Sequence, residues 1–437
     1  MQCSLGRRRL SPHGGWASLH EDLVQLIGWR VLAAGDLLDY TRFRAVCSGW
    51  NAGAVSPRGR GLADTRFHPR RWMMFPEGHG LYPGHPDLGG YVRFVNLSSG
   101  DFVRVHLPLF RDSTDVAIDS TDGGLLLLLQ KHDVAVRLVN PFTGDVADLP
   151  PLLPLLPLLE PQRGRRLSCI SEYHTFLELS IFRTGVCAAV NVTAAGEIIV
   201  MLAIDRRHRV AYATVGDRQW CLSAWKLPRL SARTMALQGK LLYAAAVNAA
   251  DVYIYQIDLL QQQDGLSLPP PKMIAKCPLV GKIGSAHLVE GASELMLVGF
   301  PDASREHLEV YRVADLASGK VVPVTNIGEH AIFLEERGVC VSANKGFPSV
   351  LGNTVICNHR QTRQVDTCNP WERLSSCSRY DQFDLDSGTW SPALDADILH
   401  RDRAPARPYM LGHHILTCCN RYYWNTGLIF CSPMISR

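Results

Sequence analysis

Apolar positions recur at two different spacings along this chain. Near the start they follow a helical period: Leu19, Leu23, Leu26 and Ile27 stand at i, i+4, i+7 and i+8 behind a Ser18-x-x-Glu21 capping box. That predicts an amphipathic helix over about 19–32. Asp36 is placed to cap a short second turn through Leu37 and Leu38. Thr41 is placed to cap a third helix with the stripe Phe43, Val46, Cys47 and Trp50, ended by Asn51, Gly53 and Pro57. From Trp72 onward the period shortens. Runs such as "YVRFVNL", "FVRVHL", "GGLLLLL", "DVAVRLV", "GEIIVMLAID", "GKLLYAAAV", "DVYIYQID" and "ELMLVGF" alternate or are wholly apolar. They are bounded by Gly, Asn, Asp and Pro, too closely for crossover helices. The expected fold is a small all-α N-terminal module of three helices followed by a large antiparallel all-β domain.

A weak repeat refines the second part. Asn96 and Gly100, Asn140 and Gly144, Asp315 and Gly319, and Asp384 and Gly388 are each four apart, with Phe102, Val146, Val321 or Trp390 two places beyond the glycine. This is the chemistry of a hairpin whose glycine takes φ > 0. Copies lie 44 and then 175 residues apart, close to multiples of 44, which fits the four-stranded blade of a β-propeller. A pair of β-sandwiches is the alternative. The last interval, 69, requires an insertion near 357–380. The Pro-, Gly- and Arg-rich stretch 57–71 reads as a linker, which divides the chain into a basic disordered tail (1–15), a helical module (16–56), that linker and the β domain (72–435). The Leu–Pro run near 149–161 reads as an extended polyproline-like loop, and 259–272 as a long surface loop.

Charge sharpens the division. Residues 1–72 hold eleven arginines against five acids, so with +4 overall the remainder is slightly acidic. An arginine-rich front end favours an acidic partner, a protein surface or nucleic acid. Three helices in about forty residues cannot bury their own apolar stripe without a metal, disulfides or a partner, and no metal ligands or paired cysteines are present there. The module must therefore dock on another protein or on the β domain. The thirteen cysteines lack zinc spacing or a disulfide framework, no secretory signal opens the chain, and no apolar run reaches spanning length. The expected compartment is cytoplasmic or nuclear, with no membrane association and no cofactor. The sequons at Asn96 and Asn191 stand against that.

Catalytic patterns are missing: there is no H-E-x-x-H, G-x-S-x-G or Walker loop. His413-His414 and Cys418-Cys419, read as strand residues, would point to opposite faces and not share an ion. Glu335-Glu336 and Asp395 to Asp397 read as loop acids.

The stretch "WASLHEDLVQLIGWRVLAAGDLLDYTRFRAVCSGWN" resembles an F-box. Trp16, Leu19, Asp22, Leu23, Ile27, Leu32, Asp36, Phe43, Arg44, Val46, Cys47 and Trp50 match the pattern. His20 replaces its usual proline, and Gly28 falls inside the first helix at about 1 kcal/mol relative to alanine. The β domain resembles the KIB-type propeller that follows an F-box in a plant family, through "GGLLLLLQKHDVAVRLVNPFTGDVADLPPL", "VTNIGEHAIFLEERGVCVSANKGFPSVLGNTVIC" and "YDQFDLDSGTW". The resemblance implies a non-catalytic substrate receptor of an SKP–cullin–F-box ubiquitin ligase. Leu19, Leu23, Ile27, Leu32, Phe43, Val46, Cys47 and Trp50 would then bind the SKP-type adaptor, and through it cullin. The propeller would bind a target protein, and neither nucleic acid nor a metal takes part. The rivals are an F-box scaffold outside the ligase and a ligand-binding or enzymatic propeller with a helical appendage.

Overall fold

Strands that are wholly buried or alternate in burial organise residues 72–392 into six blade sheets around one axis, a six-bladed β-propeller preceded by helices. The computed structural model describes residues 15–159, 182, 185–357, 380–399, 411–419, 424 and 429–431, less positions 76, 78–80, 113–114, 122–123, 131–133, 229–233, 248–250, 263–264, 279–285, 292–293, 302–305, 344–349 and 394–396. The tail before Gly15, the stretch 358–379 and Asp395 lie outside the described residues.

The blades span 72–106, 115–149, 186–222, 235–278, 286–312 and 330–392, with three, four, four, four, three and five strands in their sheets. Pairing is antiparallel except where His330–Leu334 runs parallel to Thr354–Cys357. There the chain makes its innermost hairpin first and then returns outward, so the all-antiparallel expectation fails at one pair. Inner strands of successive blades pack on one another, and the ring closes through a helix, Leu411–Cys419. This helix lies against the free edge strand Trp72–Phe75 of blade 1 and against the inner hairpin of blade 6. Ile415, Leu416, Cys418 and Cys419 share a core with Met73, Phe75, Phe333 and Val341.

Three of the four repeat turns are alike. Gly100, Gly144 and Gly388 have φ of 74°, 77° and 66°, and each N–H donates to the carbonyl four residues back. In each, the side-chain oxygen of Asn96, Asn140 or Asp384 accepts two backbone N–H groups, an Asx turn. The fourth differs. Asp315 lies in a short helix, Val313–Ala317, whose end is closed by Gly319 in the left-handed region and by Lys320 N–H donating to the Asp315 carbonyl at 2.9 Å. Trp390 ties blade 6 to blade 5: its ring stacks 6.4 Å from Phe300 and its indole N–H donates to the Glu306 carbonyl at 2.8 Å.

Several expectations from local pattern fail. Within the 149–161 run, residues 153–159 are helical, because Leu152, Leu155, Leu156 and Leu159 fall at i, i+3, i+4 and i+7 and are buried between blades 2 and 3; positions 160 and 161 lie outside the described residues. Its prolines 151, 154 and 157 are left on the exposed side. The loop 259–272 contains a hairpin of its own, Leu260–Gln262 with Gly265–Ser267. His413-His414 and Cys418-Cys419 are helical and not strand residues. His414 stacks 4.8 Å from Phe75, and Cys418 Sγ donates to the Met74 carbonyl. Burial pushes the Cys418 thiol up to about 12, so it stays neutral and acts as a small core residue.

Candidate functional site

The helical module begins later than its capping box. Ser18 Oγ donates back to the Gly15 carbonyl in a short turn, and helix α1 runs Glu21–Ala34 with His20 as N-cap. Asp36 caps helix α2, Leu37–Arg44, by accepting from Leu38 N at 2.8 Å and Asp39 N at 3.0 Å. Thr41 caps nothing: it sits inside α2, its hydroxyl donating to the Leu37 carbonyl. Helix α3, Ser48–Gly53, starts instead from Cys47, whose Sγ accepts Trp50 N. The expected single stripe is thus split across two helices and their junction.

That split sorts the eight expected contact residues. Leu32 and Phe43 are 2% and 7% exposed and belong to the module's interior, with Val24, Leu37, Tyr40, Ala54 and Phe67. They support the module's surface from beneath. Leu19, Ile27, Cys47 and Trp50 are half-buried. Trp50 packs 4.6 Å from Phe43, and its indole N–H donates to the Trp16 carbonyl at 2.8 Å. Leu23 and Val46 stand 49% and 62% exposed, joined by Leu26 at 51% and Trp16 at 74%. Leu26, one turn from Leu23 in the helical period, is exposed beside it although it is not among the eight expected contacts. Gly28 is also explained: a Cβ there would lie 3.1 Å from the rings of both Phe43 and Tyr40.

The opposite side of the module rests on the 57–71 strap and on Phe142 and Trp72 of the propeller. Residues 57–71 are not a free tether. Phe67 is fully buried, 5.8 Å from the rings of Trp29 and Tyr40, and Arg66 lies 4.1 Å above Trp29 while paired with Asp64 at 2.7 Å. Gly59 N and Gly61 N donate to Asp145 of blade 2, and Asp36 Oδ2 accepts from Trp72 Nε1 at 2.7 Å. A Cβ on Gly61 would collide with Thr143 Oγ1, which is why the strap needs glycine there.

A second candidate is the propeller's axis, where a cavity of about 100 Å³ is lined from all six blades, with Arg71, Asp119, His287, Glu290, Glu336 and Arg337 among its walls. Arg71, Asp119 and Arg337 are engaged with the ring. Arg71 donates to the Gly291 and Cys340 carbonyls of blades 5 and 6, at 3.1 and 2.6 Å. Arg337 of blade 6 reaches Ser120 O and Asp119 of blade 2, and the Cys418 carbonyl of the closing helix. Asp119 accepts Ala188 N of blade 3, and Asp205 of blade 3 accepts Thr234 N of blade 4. Glu335 and Glu336 do not act as a pair: Glu336 lines the channel, whereas Glu335 accepts from Tyr380 Oη at 2.5 Å. Burial pushes the Glu335 carboxyl up to about 7. Among the described residues no group of His, Cys, Asp and Glu could hold a metal, and no helix is long and apolar enough to cross a membrane.

A model of the KIB1-4 beta-propeller matches residues 94–380. Among solved structures, the chain is similar to the β-propeller domain of Myceliophteria thermophila Cps50 (Swd1), at 13% identity over 73% of this chain and 98% of that one, with a TM-score of 0.27. It is also similar to a mutant puromycin hydrolase complexed with PGG, at 11% identity over 79% of this chain and 52% of that one, with a TM-score of 0.30. No curated protein matches it.

Proposed function

We propose that this chain, which belongs to the KIB1-4 beta-propeller family, is the substrate-recognition subunit of an SKP–cullin–F-box ubiquitin ligase. Its helical module binds the SKP-type adaptor, its propeller binds a target protein, and it has no catalysis of its own. The observation that carries this reading is the outward face of the module. Leu23, Leu26 and Val46 remain about half exposed or more although Val24, Leu32, Tyr40 and Phe43 beside them are buried. With about half of each side chain still to cover, each would gain roughly 1 kcal/mol on being covered. Packing on the 57–71 strap and the propeller residues Phe142 and Trp72 has used other parts of the module, so what remains is available to a partner. The fit of this segment to the F-box pattern supplies that partner's class.

A ligand-binding or enzymatic propeller has less support, because Arg71, Asp119 and Arg337 of the axial cavity are bonded to neighbouring blades. The test is co-purification of the full chain with an SKP-type adaptor and cullin from a eukaryotic extract. Wild type should recover both, and a Leu23→Asp, Val46→Asp double variant should lose both while keeping propeller-bound proteins. Recovery of both by the double variant would exclude this surface as the docking site.

A further inference from the structure

The three Asx turns use their side-chain oxygens identically, but two carry asparagine and one aspartate, and the difference has a structural counterpart. Asn96 Oδ1 accepts from Ser98 N and Ser99 N, Asn140 Oδ1 from Phe142 N and Thr143 N, and Asp384 Oδ1 from Asp386 N and Ser387 N. The turn therefore needs only an acceptor, and aspartate suffices. In the two asparagines the remaining Nδ2 is directed at the N-terminal segment. Asn96 Nδ2 donates to Asp36 Oδ2 at 3.2 Å and to the Arg70 carbonyl at 3.4 Å. Asn140 Nδ2 donates to the carbonyls of Gly61 at 2.8 Å and Phe67 at 3.0 Å. Both are buried, at 6% and 0% exposure, so an unmet donor or a misplaced acceptor would be felt in full. Flipping either amide would break its turn bonds, which fixes the nitrogen's direction.

We propose that Asn96 and Asn140 are positioning residues: blades 1 and 2 use the amide half of a repeat turn to lock helices α1–α3 and the 57–71 strap in one orientation on the propeller. Asp36 and Asp145 complete the joint from either side. Asp36 caps α2 with one oxygen and accepts from Trp72 and Asn96 with the other, while Asp145 receives Gly59 N and Gly61 N. The module's outward face is then held at a fixed angle to the propeller's loops, whatever that face binds. Because no partner enters the argument, it can fail while the ligase reading stands, and the reverse.

Asn96→Asp with Asn140→Asp keeps both turn acceptors and turns the two donors into oxygens facing oxygens. Asp384→Asn is the control. Hydrogen exchange on the full chain should show amides in 21–71 opening about ten-fold faster or more, with blades 3 to 5 and the control unchanged. Distance measurements between noncanonical spin labels at the exposed positions 30 and 272 should pass from one narrow population to a broad one, with helix content retained. Should the buried aspartates unfold the blades, Asp36→Asn with Asp145→Ala decides, since asparagine in place of Asp36 keeps the α2 cap but not the joint. A narrow distance population together with wild-type exchange in 21–71, in either variant that folds, overturns the proposal.

Discussion

Replacing Phe67 by alanine separates a packed strap from a linker more sharply than any other single change. The side chain is fully buried between Trp29 and Tyr40, its backbone carbonyl is held by Asn140, and the seven buried residues of this cluster form almost the whole interior of the module. Truncating a buried phenylalanine removes its transfer free energy and leaves a cavity, about 3–5 kcal/mol. A residue in a solvated linker would shift stability by no more than about 0.5 kcal/mol. The loss falls on the local opening of residues 21–71, not on the propeller, whose cores do not include Phe67. Native-state hydrogen exchange should therefore show the opening free energy of α1–α3 lowered by about 3 kcal/mol or more, and calorimetry an early transition ahead of the propeller's. Phe67→Leu, which keeps most of the volume, should lose far less. Unchanged protection of α1–α3 in Phe67→Ala would refute the packing argument.

Gly28→Ala is expected not to deliver the usual gain of about 1 kcal/mol from helix propensity. Tyr40 and Phe43 each lie 3.1 Å from the new Cβ, and Tyr40 is anchored by its hydroxyl on the Val55 carbonyl; chemical denaturation showing a net gain would mean that the rings yield. Glu335→Gln should stabilise the chain above about pH 7 and not below about pH 4.5. Its folded carboxyl titrates near 7 against 4.5 for the free side chain, so wild type loses stability as pH rises through that window. With the side chain partly exposed, the expected gain is about 1–2 kcal/mol, and a thermal-unfolding difference that does not vary with pH would contradict it. Arg337→Met removes a guanidinium 3.7 Å from buried Asp119 and a contact to the ring-closing helix, so thermal unfolding should show a loss of about 3–5 kcal/mol. A change under about 1 kcal/mol would show that the closure does not depend on it.

Period-two alternation, with glycine at the turns, was enough to place the strands and to find three turns of the repeat, because both signals are local. Asp36 as a helix cap was legible for the same reason. What escaped depended on distant partners. Phe67 lies in a stretch without apolar periodicity, and the rings of Trp29 and Tyr40, far back in the chain, make it a core residue. Thr41 and Ser18 were chemically able to cap, yet helix packing placed the starts at Cys47 and His20. The leucines at 152, 155, 156 and 159 have a helical period, but proline at every third position suggested an extended chain. The structure tolerates these prolines because they fall on the exposed side of a short helix. At the candidate site, hydrophobicity alone could not tell inward Leu32 and Phe43 from outward Leu23 and Val46. That distinction depends on where the helices break.

Binding of the purified chain to a purified SKP-type adaptor, followed by titration calorimetry, tests the central claim most directly. The account predicts a saturable one-to-one complex with a negative heat-capacity change, as burial of Leu23, Leu26 and Val46 requires. It predicts at least about a hundred-fold loss of affinity for Val46→Asp, whose carboxylate would be buried unpaired. No binding by the folded wild-type chain, or equal binding by Val46→Asp, would contradict it.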